Sequence, residues 1–537
     1  MKAEPSILRD FTVDKRVWLL SGVAIGIGAI ATLLAVFLLR CIAFSTNLFY
    51  YHRFSIAPVS PAGSPLGHWM VIVPVIGGLL VGVMARFGSD KIRGHGIPEA
   101  IEAILLHRAR VAPKIALLKP ISAAIAIGSG GPFGAEGPII MTGGAAGSLI
   151  GQWMHVTDNE RTTLLVAGAA AGMSAVFATP VAAILLAVEL LLFEWRPRSL
   201  VPVAMASTTA ALLRTHWLGS GPLFDMPSEG TPHASFVIGA VLLGAFVGLV
   251  AAVMSRLMYS IEDLFEHLHL HWMWWPAIGG IGIGVGGLFF PRGLGVGYDN
   301  IAELLHGNAA VGLIVGVLLA KSLMWAVSLG SGTSGGVLAP LLMIGGAIGA
   351  LAAHLAHTST EAEALWALIG MGAMLAGALG VPLTAILFSL EVTHCLPALL
   401  PLAVACIASY LVTALIMPRS ILTEKLGRRG THLTREYGVD PLELVLVREV
   451  MSPLQGAPVE IPASATFTYS DSTTRAAMAV MATEGLETIP VVDRKTGLSC
   501  GEFSLRHLLQ VRGKSLEREH ERLRLSRYVP PELGGHN

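Results

Sequence analysis

The chain has 537 residues, of which 53% are hydrophobic and only 13% charged, against roughly 25% charged in ordinary soluble domains. With a mean hydropathy of +0.66, it lacks the charge to cover the surface of a water-soluble fold of this size. The 36 basic and 36 acidic residues cancel, so no nucleic acid or acidic partner is implied.

In chain order, Lys2, Arg9, Lys15 and Arg16 precede a long apolar run with no cleavage site after it. The start therefore reads as a first membrane helix rather than a removable signal. A spanning helix needs about 20 apolar residues. Residues 18–39 and 234–255 are uncharged runs of that kind. Residues 162–188 and 364–390 are uncharged too, but Pro180 and Pro382 interrupt them. Residues 69–85 and 309–320 are expected to fall short of a full crossing. Many of the 61 glycines lie inside apolar stretches. Broken segments of this kind are tolerated in a membrane where the freed backbone faces protein or a wet cavity, which points to a transporter or channel. Basic residues gather at the N-terminus, over 86–114 and over 419–429, whereas 51–68 carries only Arg53. By the positive-inside rule both termini are expected in the cytoplasm and 51–68 outside, in the inner membrane of a cell. The four cysteines (Cys41, Cys395, Cys406, Cys500) have neither metal-ligand spacing nor a disulfide pattern.

The sequence repeats. At an offset of 202, residues 119–191 match 321–393 without gaps, with 21 identities in 73 positions. Lys119 pairs with Lys321, Pro138 with Pro340, Pro180 with Pro382 and Glu189 with Glu391. At an offset of 201, Gly94 and Gly96 pair with Gly295 and Gly297. The repeats are expected to cover about 69–195 and 272–418. Such duplication of broken apolar segments places a substrate site at the repeat interface, where discontinuous helices end.

Each repeat carries a glycine-rich turn opening an apolar helix. One runs Gly128-Ser-Gly-Gly-Pro-Phe-Gly-Ala-Glu-Gly-Pro138, the other Gly330-Ser-Gly-Thr-Ser-Gly-Gly-Val-Leu-Ala-Pro340. Free N–H groups and the partial positive charge of a helix start bind anions. Several such starts together would hold an anion without a lysine that grips too tightly for release. Glu136 lies inside the first turn, opposite Leu338 in the second. It either stabilises a helix start or occupies the anion site itself, leaving when protonated or displaced; an ionisable group at membrane depth favours the second reading.

These residues resemble the CLC family of chloride channels and chloride/proton exchangers. Its three motifs, G-S-G-I-P, G-(K/R)-E-G-P and G-G-x-F-x-P, read here as Gly94-His95-Gly96-Ile97-Pro98, Gly134-Ala135-Glu136-Gly137-Pro138 and Gly335-Gly336-Val337-Leu338-Ala339-Pro340. The resemblance covers about residues 15–430. It implies an all-α polytopic membrane protein of two inverted repeats of broken, tilted helices, one pore per subunit and a homodimer. It makes Glu136 the gate, and it implies an anion-binding set of His95, Gly96, Gly134, Ala135, Gly137, Val337, Leu338 and position 422. Lys119 matches a lysine that raises the local potential.

The departures are specific. His95 replaces a serine hydroxyl; a neutral imidazole donates one hydrogen bond or points away. Leu422 replaces a tyrosine, Leu338 a phenylalanine, and Ala135 a basic residue. The second of two successive acids on the inner proton path is Leu190, after Glu189. Glu194, further along, is a candidate substitute and equally a surface glutamate. A proton route through Glu136, Glu189 or Glu194 thus stays open, with weak or absent coupling favoured. The implied substrate is chloride, with fluoride or nitrate as alternatives and full chloride/proton antiport as the competing mechanism. A cation-coupled solute transporter is disfavoured because helix starts repel cations. No enzyme, metal or cofactor is expected.

Beyond about residue 430 the composition turns polar. Residues 447–512, with Ile489-Pro-Val-Val-Asp493, resemble one CBS module of a small α/β tail (431–537). A packing role is favoured over tight nucleotide binding. Residues 513–528 read as a charged, exposed helix.

Overall fold

The computed structural model describes residues 15–227, 234–430, 440–454, 460–462 and 465–514; most of the helix expected over 513–528 lies outside them. The chain divides after Arg435 into two compact units.

The first unit is entirely helical. Its first half comprises α1 (Arg16–Tyr51), α2 (Ile72–Phe87), α3 (Ile97–Leu106), α4 (Pro113–Gly128), α5 (Glu136–Trp153), α6 (Asp158–Phe177), α7 (Pro180–Leu186) and α8 (Pro197–Leu218). The second comprises α9 (Ala234–Glu266), α10 (Trp275–Phe289), α11 (Tyr298–Leu305), α12 (Val311–Gly316), α13 (Ser322–Gly330), α14 (Leu338–Leu355), α15 (Thr360–Leu379), α16 (Pro382–Thr393), α17 (Leu399–Ile416) and the short α18 (Glu424–Arg428). Among the described residues, seven helical stretches are long and apolar enough to cross a membrane. Two of them correct the expectation of short segments. Residues 67–87 form 21 helical residues because a 3-10 turn at Gly67–Val71 leads into α2. Residues 311–330 form 20 because a π-helical turn at Val317–Lys321 joins α12 to α13.

Side chains are arranged for lipid. On α1, Trp18, Leu33 and Phe37 are exposed while Ala24, Ala31 and Ala35 are fully buried. Small residues face the protein and large apolar ones the surroundings, as membrane helices require for close packing. Glycine takes this furthest where α5 crosses α6. A Cβ on Gly143 would lie 2.3 Å from the Gly168 carbonyl oxygen, and one on Gly168 would lie 2.1 Å from that of Gly143. The second half repeats the crossing between α14 and α15, through Gly345 and Gly370.

The two halves are inverted. α1 runs from Arg16 to Tyr51 and α2 returns, so 88–96 lies at the Arg16 face. Gly94 there borders a cavity of about 630 Å³ shared with Arg93, Glu262, Lys425 and Arg428. The matching Gly295 and Gly297 border a cavity of about 660 Å³ shared with Thr46, Ile56 and Pro61, at the Tyr51 end of α1. Equivalent loops therefore open at opposite faces.

The repeats also interlock. The Glu189 carboxylate accepts hydrogen bonds from the backbone N–H groups of Leu383 (3.2 Å) and Thr384 (2.8 Å) and from the Thr384 hydroxyl (2.6 Å). The Glu391 carboxylate accepts from the N–H groups of Val181 (3.0 Å) and Ala182 (2.8 Å). Each half's glutamate thus satisfies the free N–H groups at the proline-headed helix start of the other half.

The second unit is a small α/β fold. Strands β1 (Ser452–Pro453), β2 (Thr468–Tyr469), β3 (Thr488–Val492) and β4 (Ser499–Ser504) form a sheet in the order β1-β4-β3-β2. The β2–β3 pair is parallel; the others are antiparallel. Helices α19 (Pro441–Leu444), α20 (Val447–Val450) and α21 (Thr474–Glu484) complete it. Its core gathers Val447, Ala477, Met481, Ile489, Val491 and Phe503.

Candidate anion site

Three glycine turns meet where α3, α5 and α14 begin. The Gly134 N–H donates to the Gly336 carbonyl (3.3 Å), and the Gly336 N–H donates back to Gly134 (2.9 Å). The Gly335 N–H donates to the Gly94 carbonyl (3.4 Å). Gly96 has φ +88°, and a Cβ there would lie 2.8 Å from the Gly137 carbonyl oxygen. Gly137 is tighter still: its Cβ would lie 1.8 Å from the carbonyl oxygen of His95. The Gly94–Gly96 turn is thus pressed against the first turn of α5, and only glycine permits both the left-handed backbone and the approach.

Glu136 is the first residue of α5 and is fully buried. Its Oε1 accepts a hydrogen bond from the Ala339 N–H at 3.1 Å, in the first turn of α14. Its Oε2 is buried without a partner. A Cβ on Gly134 would lie 1.8 Å from this carboxylate, and one on Gly336 2.4 Å. The carboxylate therefore lies over two glycine turns at the N-terminus of α14, where backbone N–H groups and the helix dipole favour a negative charge.

Several other residues from the sequence gather here. Ala135 and Val337 are the capping residues of α5 and α14, and both are fully buried, as is Leu338 to within 2%. His95 is buried with Nδ1 unpartnered, and it borders the cavity at the Arg16 face. The Lys119 ammonium donates to the carbonyls of Ile92 (2.8 Å) and Gly94 (2.7 Å). Lys321 does the same for Gly293 (2.8 Å) and Gly295 (2.7 Å). Both lysines pin the loop ahead of a helix start.

The remaining candidates lie elsewhere or are engaged. Leu422 is fully buried and brings no polar group. Its neighbour Ile421 is held by the Ala378 carbonyl and by the Tyr259 hydroxyl, which donates to the Ile421 carbonyl at 2.6 Å. Glu189 caps α16. Glu194 accepts from the Ser199 hydroxyl and pairs with Arg196 and Arg198 at 3.4 Å each, at the start of α8. Sequence reasoning missed two features. One is the pair of partly exposed Lys425 with buried Glu99 (2.7 Å), which ties α18 to α3 beside His95. The other is Tyr298, whose buried hydroxyl has no partner among the described residues. The repeat offset already aligned Tyr298 with Ile97, so a polar group replacing an apolar one at a duplicated helix start was a readable signal.

Residues 76–414 match the model of the voltage-gated chloride channel family. The chain belongs to that family. It is 29% identical over 388 residues to the H(+)/Cl(-) exchange transporter ClcA of Vibrio campbellii, covering 69% of this chain and 82% of that protein. Its fold is similar to that of a slow cyanobacterial Cl-/H+ antiporter (TM-score 0.68, 23% identity, 78% of this chain and 99% of that one). A CLC-type fluoride/proton antiporter is also similar (TM-score 0.65, 20% identity, 76% and 98%). This CLC protein is accordingly a polytopic membrane anion transporter, and the three turns correspond to the family motifs quoted from its sequence.

Proposed function

We propose that this CLC protein carries chloride through the site built by the three turns, that Glu136 is its gate, and that proton coupling is weak or absent. One observation carries the gate: the Glu136 carboxylate accepts the Ala339 N–H with its second oxygen unbonded, so it lies as a bound anion would at the start of α14. Protonation or displacement frees that position. The set His95, Gly96, Gly134, Ala135, Gly137, Val337 and Leu338 then serves the anion mainly through backbone dipoles, and Leu422 contributes only shape.

Weak coupling is supported by the state of the other acids. Glu189 is committed to three hydrogen bonds at α16, and Glu194 to two arginines and Ser199. Both carboxylates are engaged by the scaffold, which favours the weak-coupling reading. The ClcA relative is named an exchanger, so full antiport is the competing mechanism. In the same reading the protein is an inner-membrane homodimer with its Arg16 face in the cytoplasm, and the tail is a CBS-like module that packs without binding nucleotide tightly.

The test is flux in reconstituted liposomes. Glu136→Gln should keep or raise chloride flux and abolish its pH dependence; a pH dependence that survives the substitution rejects the gate. In the unmodified protein, a chloride gradient should drive little proton movement. Stoichiometric proton uptake would reject weak coupling and favour antiport.

A further inference from the structure

Tyr298 opens α11 directly after Gly297, which has φ +78°. By the repeat it holds the place that Ile97 holds behind His95. Its ring is clamped edge-on by Phe177 (6.3 Å between centroids, 82°) and Phe224 (6.0 Å, 67°), and Phe177 is itself braced by Phe388 (5.3 Å). Such packing leaves the ring one orientation. The residue borders the cavity at the Tyr51 face, with Arg40, Arg214, Trp217 and Asp299 among its neighbours there. Arg214 is spent on the carbonyls of Ala175 (2.9 Å) and Gly219 (3.0 Å).

The hydroxyl at the far end of this clamped ring is buried and has no hydrogen-bond partner. Buried donors are rarely left unpaired without a role. The Glu136 carboxylate bonds Ala339, and its other oxygen has no partner among the described residues. A residue with a fixed donor thus borders the cavity at the Tyr51 face, on α11, which packs against the α14 whose start holds the Glu136 carboxylate. Tyr259 has no such freedom, because its hydroxyl is taken by Ile421.

We propose that the Tyr298 hydroxyl donates a hydrogen bond to a small monovalent anion on the Tyr51 side of Glu136, supplying from the second repeat the side-chain hydroxyl that Leu422 lacks. The inference rests on the reading of Glu136 as an occupant of the anion path. The anion enters from the cavity at the Tyr51 face, meets Tyr298, and takes the helix-start position when Glu136 leaves it.

The test is Tyr298→Phe in the full-length purified protein, titrated calorimetrically with chloride, fluoride and nitrate, alone and combined with Glu136→Gln. Loss of one hydrogen bond to a charged acceptor should weaken binding of the best anion roughly ten-fold or more. The loss should persist in the Glu136→Gln background, because the contact is with the anion. Unchanged affinity overturns the proposal; so does a loss that vanishes with Glu136→Gln, which would mean that the hydroxyl serves only the carboxylate. Thermal midpoints guard against a folding artefact. Tyr298→Phe without anion should melt no lower than the unmodified protein, while the rise produced by anion should shrink. A lower anion-free midpoint with an unchanged rise would mean a structural role and would also overturn it. If the unmodified protein binds none of the three anions, the reading of Glu136 fails as well; intact binding that Tyr298→Phe leaves untouched rejects Tyr298 alone.

Discussion

Glu189 is the sharpest place to separate scaffold from mechanism. Its carboxylate accepts three hydrogen bonds at the start of α16, from two backbone N–H groups and the Thr384 hydroxyl. Glu189→Ala removes a charged acceptor and leaves those N–H groups at the start of α16 without it. Hydrogen bonds to charged groups contribute about 1.5–3 kcal/mol each, but three that share one carboxylate do not add in full. Loss of a helix cap alone costs about 1–2 kcal/mol. A combined cost of about 3 kcal/mol is therefore expected for Glu189→Ala and about half that for Glu189→Gln, which keeps one acceptor oxygen. In a unit this large, each kcal/mol moves the melting midpoint by no more than about 2 °C. Glu189→Ala should thus lower it by about 4–6 °C in detergent, compared at one scan rate because unfolding of such a protein is kinetically controlled. Chloride flux in surviving protein should be little changed. A Glu189→Gln protein of unaltered stability that loses a proton flux present in the unmodified protein would make Glu189 a relay and not a cap.

Other consequences follow from the same contacts. Gly137→Ala should abolish chloride flux in liposomes, since its Cβ would lie 1.8 Å from the His95 carbonyl oxygen and force the Gly94–Gly96 turn off α5. Lys119→Met and Lys321→Met should each destabilise the membrane unit by about 2–4 kcal/mol, as two buried carbonyls lose a charged donor; a thermal shift in one variant only would contradict their equivalence. In the tail, Phe503→Ala should cost that unit about 3–5 kcal/mol, read as increased protease sensitivity, because Phe503 is fully buried in its core. Calorimetry of the full chain with ATP should give no binding in the micromolar range.

Much of this fold was legible because the gene carries it twice. A shared offset exposed the paired prolines, lysines and glutamates, and each pair has the same local job in both halves. What the sequence hid was the partner. Glu189 and Glu391 read as twins, but nothing in a linear pattern shows that each satisfies the other's helix start, since the exchange exists only across a pseudo-two-fold axis. The length of the 311–330 helix was hidden by Lys321, whose charge ends the apolar run at Ala320. Its ammonium spends that charge on the carbonyls of Gly293 and Gly295, so the helix continues through it. Likewise, the motif placed Glu136 in a turn but could not say that its oxygen would reach the N–H of Ala339, about 200 residues away.

Symmetry also tells which residues to suspect. Where both repeats keep the same residue, the structure gives it the same scaffold contact: Lys119 and Lys321 pin loops, Glu189 and Glu391 cap helices, Gly143 and Gly345 let helices cross. A gate needed in one copy has no reason to be duplicated, so functional side chains are sought where the repeats disagree. The disagreements at the helix starts include His95 against Val296, Ile97 against Tyr298, Pro98 against Asp299, Glu99 against Asn300, Ala135 against Val337, Glu136 against Leu338 and Gly137 against Ala339. Gly137 lacks the Cβ that Ala339 carries because the His95 turn closes on α5. Among the described residues, Nδ1 of His95, Oη of Tyr298 and Oε2 of Glu136 are buried without a partner, as are Oε2 of Glu99 and Oδ1 of Asn300. Unpaired groups in a packed interior call for an explanation, and an anion on the proposed path would supply one. His95 borders the cavity at the Arg16 face and Tyr298 the cavity at the Tyr51 face; on the proposed function a permeating anion would meet them on either side of the Glu136 gate.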